Sequence, residues 1–123
     1  MAIVRIDFSK NQPAQFGPTV AALVNTTMQQ ILGVPAKENY VVCQSHDDGM
    51  LLHDPENIVP ERLAQILFIQ ITLNIGRTEA LKAQFFAKLT KRLSEDTRIA
   101  PENVFINLVE VARENWSFGQ NNT

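Results

Sequence analysis

The two groups best suited to chemistry are the α-amino group at the start of the chain and the guanidinium of Arg77. Residues 1–8 alternate apolar and polar side chains as a β-strand does, so the terminal amine is expected to be held within the fold. An α-amino group has an ordinary pKa of about 7.7–8.0 and can act as an acid or a base near neutral pH. Arg77 follows a long apolar segment at a predicted strand–helix turn, where its guanidinium can bind a carboxylate. A surface arginine without a ligand fits this position equally well.

A carboxylate and two aromatic side chains are further candidates. Glu38 lies just before the second predicted strand and by itself is an ordinary exposed carboxylate. Trp116, the only tryptophan, and Phe118 lie in a tail beyond the last predicted strand. Aromatic residues in such a segment usually cover the edge of a core or another subunit, and lining a small-molecule pocket is the functional alternative.

Metal, disulfide and nucleotide chemistry are not expected. Five potential metal ligands lie within nine positions, namely His46, Asp47, Asp48, His53 and Asp54. Their spacing matches no regular ligand pattern, so a solvated turn is favoured over a metal site. The single cysteine, Cys43, excludes an internal disulfide, and its apolar strand predicts a buried, inert thiol. The sequence has no glycine-rich phosphate loop, so no cofactor is expected.

Composition indicates one soluble domain. The 123 residues are 45% hydrophobic, which is enough for a packed core. Eleven basic and 13 acidic residues give a net charge of −2 without long runs, which argues against nucleic acid or an anionic membrane as a partner. No apolar run approaches the roughly 20 residues of a membrane span, and residues 1–10 lack the features of a signal peptide. A cytoplasmic location is therefore expected.

The apolar periodicity predicts two helices and four strands. The first helix begins between Pro13 and Pro18 and ends at Gly33, and the second begins at an N-cap near Thr78. The segment 45–61 is irregular, with a short strand possible at 50–52. The other predicted strands cover residues 40–44, 65–73 and 104–111.

The two halves of the chain echo each other. The order strand–helix–strand occurs twice, and Glu38-Asn39 recurs as Glu102-Asn103, 64 positions later. One domain with two pseudo-repeats, about 1–60 and 61–123, is expected to form an α+β fold in which both helices cover one face of a four-stranded mixed sheet. Ile66 and Phe68 would expose apolar surface on the other face, which predicts a homo-oligomer.

Three motifs carry a resemblance to a known family. The segments 32–40 (LGVPAKENY), 76–82 (GRTEALK) and 104–119 (VFINLVEVARENWSFG) together resemble the tautomerase superfamily, most closely the group of malonate semialdehyde decarboxylase. The resemblance covers nearly the whole chain. It implies a duplicated β-α-β fold, a homotrimer and an active site near the N-terminus.

The resemblance also assigns roles to single residues. The family's catalytic group is an N-terminal proline exposed by removal of the initiator methionine, and Ala2 occupies that position here. Of the decarboxylases' arginine pair only Arg77 is present, because Ile75 holds the other position. Glu38 aligns with the acidic residue that orients water or a carbonyl group. The aromatic residues of the pocket wall align with Trp116 and Phe118.

The resemblance implies an enzyme acting on a small enol or oxo acid, by enol–keto tautomerisation or decarboxylation. Its activity is expected to be weak because Ala2 replaces the proline. A catalytically inactive trimer with a binding or structural role is the alternative. The residues alone also fit a ferredoxin-like regulatory module that binds a small anion at its βα turn.

Overall fold

The strands form one mixed sheet. The structure, a computed structural model, describes residues 1–52, 62 and 64–119. The elements in chain order are β1 (Ala2–Ser9), α1 (Phe16–Thr27), β2 (Asn39–His46), β3 (Leu67–Asn74), α2 (Glu79–Thr97) and β4 (Val104–Val111). The sheet order is β2-β1-β3-β4, with β1 parallel to β2, β3 parallel to β4 and the central pair antiparallel. This is the predicted duplicated β-α-β fold.

Both helices pack on the same side of the sheet because each strand alternates inward and outward side chains. Leu67, Ile69 and Ile71 of β3 are buried, whereas Phe68 and Gln70 between them are exposed. The apolar face of each helix closes over this layer. Strand and helix residues at the centre of the core include Val4, Ile6, Val20, Val24, Met28, Ile69, Ile71, Phe85, Leu89 and Leu93.

Helix boundaries follow local chemistry. The first helix begins at Phe16, so Pro18 falls in its first turn, where a missing N–H costs nothing. It continues as a wider π-helical turn over Met28–Leu32 and ends at Gly33, whose φ of 68° is left-handed. The second helix begins after Thr78, whose Oγ1 accepts a hydrogen bond from the Leu81 N–H at 3.2 Å. The predicted N-cap is thus confirmed.

The offset between the two units is 65 residues, one more than predicted. It separates both ends of β1 from those of β3, and both ends of β2 from those of β4. The repeated Glu-Asn pair suggested 64 because the 3₁₀ turns before the strands end at Glu38 in the first unit but at Asn103 in the second. Glu38 therefore corresponds in position to Asn103, not to Glu102.

The prediction of a buried Cys43 was wrong. Strand β2 lies at the edge of the sheet, so it has one neighbouring strand and Cys43 is exposed. Its Sγ lies 3.6 Å from the carbonyl oxygen of Gly17 in α1. Partial burial of the thiol, and then the negative charge of Asp7, raise the pKa of Cys43. The raised pKa lowers the fraction of thiolate and so agrees with the expected low reactivity.

The second face of the sheet is open in the single chain. Phe68 is 37% exposed and stacks on Phe105 of β4 at 5.6 Å between ring centroids. Ile66, which was expected on this face, is fully buried because it precedes β3 and does not share its alternation. The segment 50–52 bends and forms no strand.

Candidate active site

The starts of β1 and β2 and the ends of β3 and β4 lie side by side at one edge of the sheet. Ala2 at the start of β1 pairs with Asn39 at the start of β2 and with Leu73 near the end of β3. Asn74 at the end of β3 pairs with Val111 at the end of β4. This register brings the N-terminus, the turn before β2, the β3–α2 turn and the tail after β4 together.

The amine and Glu38 are in direct contact. The parallel register of β1 and β2 places Met1 beside Glu38, and the Met1 amine donates to Glu38 Oε2 at 3.2 Å. The Glu38 side chain is 57% exposed, and that of Met1 is 17% exposed. Ala2 itself is fully buried within the sheet. With Met1 present, the terminal amine therefore lies one residue before Ala2 and is paired with the Glu38 carboxylate.

Arg77 is half-buried and held by two main-chain oxygens. Its Nε donates to the carbonyl of Leu32 at 3.0 Å, and its Nη1 donates to the carbonyl of Asn74 at 3.2 Å. The Leu32 carbonyl is available for the first contact because it lies at the end of the π-helical turn, where the chain leaves the helix at Gly33 and the last carbonyls have no partner within the helix. Two of the five guanidinium N–H groups have partners in the described chain, so the outer end can still bind an anion.

The aromatic tail is attached to the same edge. The indole N–H of Trp116 donates to Asn74 Oδ1 at 2.5 Å. The rings of Trp116 and Phe118 stack at 5.8 Å with an interplanar angle of 18°. The Ile75 N–H donates to the Val111 carbonyl at 3.1 Å and ties the β3–α2 turn to the end of β4. Trp116 and Arg77 are thus connected through one residue, Asn74.

Sequence reasoning missed Asn74. A polar residue at the carboxyl end of a central strand was the available signal, since ligands in α/β proteins often bind at that end. Its partner could not be deduced, because the contact with Trp116 spans 42 residues. Ile75, where the resemblance places a second arginine, is 61% exposed and adds an apolar surface to this edge.

The histidine and aspartates of the proposed solvated turn lie away from this edge. His46 ends β2, and its Nε2 lies 2.6 Å from Asp7 Oδ1, while Asp48 accepts from Asn11 Nδ2 at 3.4 Å. Within residues 1–52, 62 and 64–119, no three potential ligands are grouped around a metal position. His53 and Asp54 lie outside the described residues. None of the helices described there is both long and apolar enough to span a membrane.

Comparison with known proteins gives consistent matches. The chain is 24% identical over 119 residues to "Probable tautomerase YusQ" of Bacillus subtilis (strain 168), covering 97% of this chain and 94% of that protein. Its fold matches an inhibited FG41 malonate semialdehyde decarboxylase with a TM-score of 0.81 and 24% identity, covering 97% and 90% of the two chains. It also matches a fused 4-OT symmetric trimer with a TM-score of 0.79 and 14% identity, covering 96% and 92%.

The match to a family model includes two of the three motifs in full, 76–82 and 104–119, and the last three residues of the motif 32–40. The model of the family described as "Tautomerase enzyme" matches residues 38–119, which begin at Glu38 and include Arg77 and the aromatic tail. This match covers well over half of the chain. The chain therefore belongs to the tautomerase family.

Proposed function

We propose that this protein is an enzyme that converts a small enol or oxo acid by enol–keto tautomerisation or decarboxylation. The observation that carries the proposal is the grouping of an amine, a carboxylate and a half-buried guanidinium at one sheet edge. The Met1 amine contacts Glu38, and the hydrogen-bonded series Arg77–Asn74–Trp116 lies on the neighbouring strand and tail. A stacked aromatic pair beside these polar groups can hold the apolar part of a small acid.

Removal of Met1 gives the Ala2 amine the catalytic role in this proposal. In tautomerisation, the neutral amine accepts the enol O–H proton and the resulting ammonium returns a proton to the α-carbon. In decarboxylation, the ammonium form stabilises the negative charge that remains when CO₂ leaves. Arg77 binds the substrate carboxylate, and Glu38 orients water or the carbonyl group. Trp116 and Phe118 line the apolar side.

Weak activity is part of the proposal. A primary amine at Ala2 rotates more freely than the ring nitrogen of a proline, so less of the population has the reactive orientation. A single guanidinium also contributes fewer charge-assisted hydrogen bonds than a pair, each contributing roughly 1.5–3 kcal/mol. Ile75 makes the neighbouring surface apolar.

A catalytically inactive binding protein is the second candidate, and a specific contact favours it. If Met1 is retained, its amine is occupied by Glu38 and Ala2 is buried without a free amine. The anion-binding end of Arg77 and the aromatic wall persist in that form. Such a protein would bind a small carboxylate without converting it.

Intact-mass measurement separates the two candidates. If Met1 is removed, the processed protein is assayed for enol–keto conversion of phenylpyruvate-type and hydroxymuconate-type substrates. Substrate conversion that is lost in Arg77→Ala supports the proposal that the protein is an enzyme. Retention of Met1, absence of conversion, or activity unchanged in Arg77→Ala would contradict it.

Replacement of Ala2 by proline tests whether the rest of the site is intact. Proline is tolerated at the first residue of a strand, and its secondary amine is fixed by the ring. The processed Ala2→Pro protein is expected to gain rate by at least about tenfold if amine orientation limits catalysis. An unchanged rate would show that other parts of the site have lost the chemistry.

A homotrimer belongs to the same proposal. It is supported by the open sheet face, where five large apolar side chains are exposed: Ile3, Tyr40, Val42, Phe68 and Phe105. It is also supported by the trimeric state named for the fused 4-OT structure. Light scattering is expected to give three times the 13.8 kDa mass of the chain. A monomer would contradict it.

A further inference from the structure

We propose that Asn74 is a positioning residue that fixes the aromatic wall of the site relative to Arg77. The inference rests on the proposed function, because it assigns a role within the same binding site. Asn74 makes contacts in two directions: its side-chain Oδ1 accepts from the Trp116 indole, and its carbonyl oxygen accepts from Arg77 Nη1. One residue thus holds both the apolar and the cationic part of the site.

Asn74 is itself rigidly placed. It is the last residue of the central strand β3 and pairs with Val111 in the sheet ladder. The next residue, Ile75, donates its N–H to the Val111 carbonyl and closes the ladder. Groups at such a position have little freedom, so they can orient partners that are otherwise loosely held.

The tail depends on this contact for its orientation. The main-chain hydrogen bonds found within residues 113–119 are local, from Asn115 to Ala112 and from Trp116 to Arg113. In the described chain, the indole N–H is the only side-chain donor of that segment with a partner in the sheet. An indole nitrogen can donate only, so it requires an acceptor. Because Phe118 stacks on Trp116, a rotation of the indole would displace both rings.

The amide side chain of Asn74 also suits this position better than a carboxylate would. Its oxygen accepts the indole N–H without adding a negative charge beside Arg77. A carboxylate at the same place would still accept from Trp116, but it would compete with an anionic ligand for the guanidinium. Replacement by aspartate and replacement by leucine therefore affect different parts of the site.

The single tryptophan gives a readout that does not depend on catalysis. Asn74→Leu removes the acceptor at similar size, and we expect red-shifted Trp116 emission and stronger quenching by acrylamide. Asn74→Asp is expected to keep both properties near wild type. Asn115→Leu, an exposed asparagine in the same tail, serves as the matched control and is expected to change neither. Circular dichroism on all variants verifies that each is folded.

Binding of 3-phenylpropanoate, measured by calorimetry, tests the ligand side without requiring turnover. Asn74→Leu is expected to weaken binding roughly 2- to 10-fold, the loss associated with one net hydrogen bond. Asn74→Asp is expected to weaken it as well, although its fluorescence stays normal. In a Trp116→Phe background, Asn74→Leu should have little further effect, because the indole donor is already absent.

Unchanged fluorescence and affinity in Asn74→Leu, an equal effect of Asn115→Leu, or additive losses in the double variant would overturn the positioning role. The proposed function fails separately, through absence of conversion in the processed protein. In that case the fluorescence and binding measurements still decide whether Asn74 organises the site.

Discussion

The amine of Met1 and the carboxylate of Glu38 form an ion pair at 3.2 Å, at the point where β1 and β2 both begin. The pair is partly exposed, and such contacts contribute about 0–1 kcal/mol to stability. The pair therefore matters for where it holds the amine, not for stability. Glu38, which the proposed mechanism uses, is paired with the terminal amine as long as Met1 is present.

Glu38→Gln is predicted to affect activity far more than stability. Loss of the charge should lower the free energy of unfolding by less than about 1 kcal/mol in urea titrations. In the processed protein, conversion of the enol substrate should fall roughly 10- to 100-fold, because the carboxylate no longer polarises the reacting group. Glu102→Gln, at the sequence echo of Glu38, is the control and should have neither effect. Equal losses in the two variants would show that Glu38 has no special role.

Arg77→Ala is predicted to raise KM, or the Kd for a carboxylate ligand, roughly 10- to 100-fold. The reason is the loss of charge-assisted hydrogen bonds from the free end of the guanidinium. Arg92→Ala is a matched control, since Arg92 also contacts the end of the first helix, through Thr27 Oγ1 at 2.9 Å and Gln30 Oε1 at 2.6 Å. It should lower stability without changing KM. A similar rise in KM for both would indicate that Arg77 acts only by holding the π-helical turn.

Phe68→Asp is predicted to prevent assembly. A charge at this position of the open face would be buried without a partner in any sheet-to-sheet contact, which is strongly unfavourable. Light scattering should then report the 13.8 kDa chain mass, while circular dichroism remains native-like. Leu52→Asp is the control, because Leu52 is 84% exposed and lies outside the sheet. A trimer that survives Phe68→Asp would rule out this face as the interface.

Thr78→Ala is predicted to lower the free energy of unfolding by about 1 kcal/mol. The variant leaves the N–H of Leu81 without its side-chain acceptor at the start of the second helix. Thr78→Ser keeps the acceptor and should be close to wild type in the same urea titration. If serine and alanine destabilise equally, the capping hydrogen bond is not the cause.

Local patterns in the sequence were sufficient to predict most of the secondary structure. The strand at 104–111 has the predicted bounds, and the helix ends at Gly33 and Thr78 follow from capping chemistry acting within one turn. Periodicity also identified the inward face of the helices, since burial of one stripe is what stabilises them. Edge effects were not predictable in this way. Cys43 is exposed because β2 is an edge strand, and strand order depends on contacts along the whole chain.

The sequence by itself determined the fold class, the family motifs and the set of residue types available for chemistry, because these depend on local pattern and composition. Only the tertiary structure decided which of them meet. The contacts Met1–Glu38, Trp116–Asn74 and Arg77–Leu32 span 37, 42 and 45 residues. Each depends on strand register or on the π-helical turn, which no local pattern specifies. The catalytic roles of Ala2, Glu38 and Arg77 stay predictions, and the structure adds Asn74 as the residue that accepts hydrogen bonds from both Arg77 and Trp116.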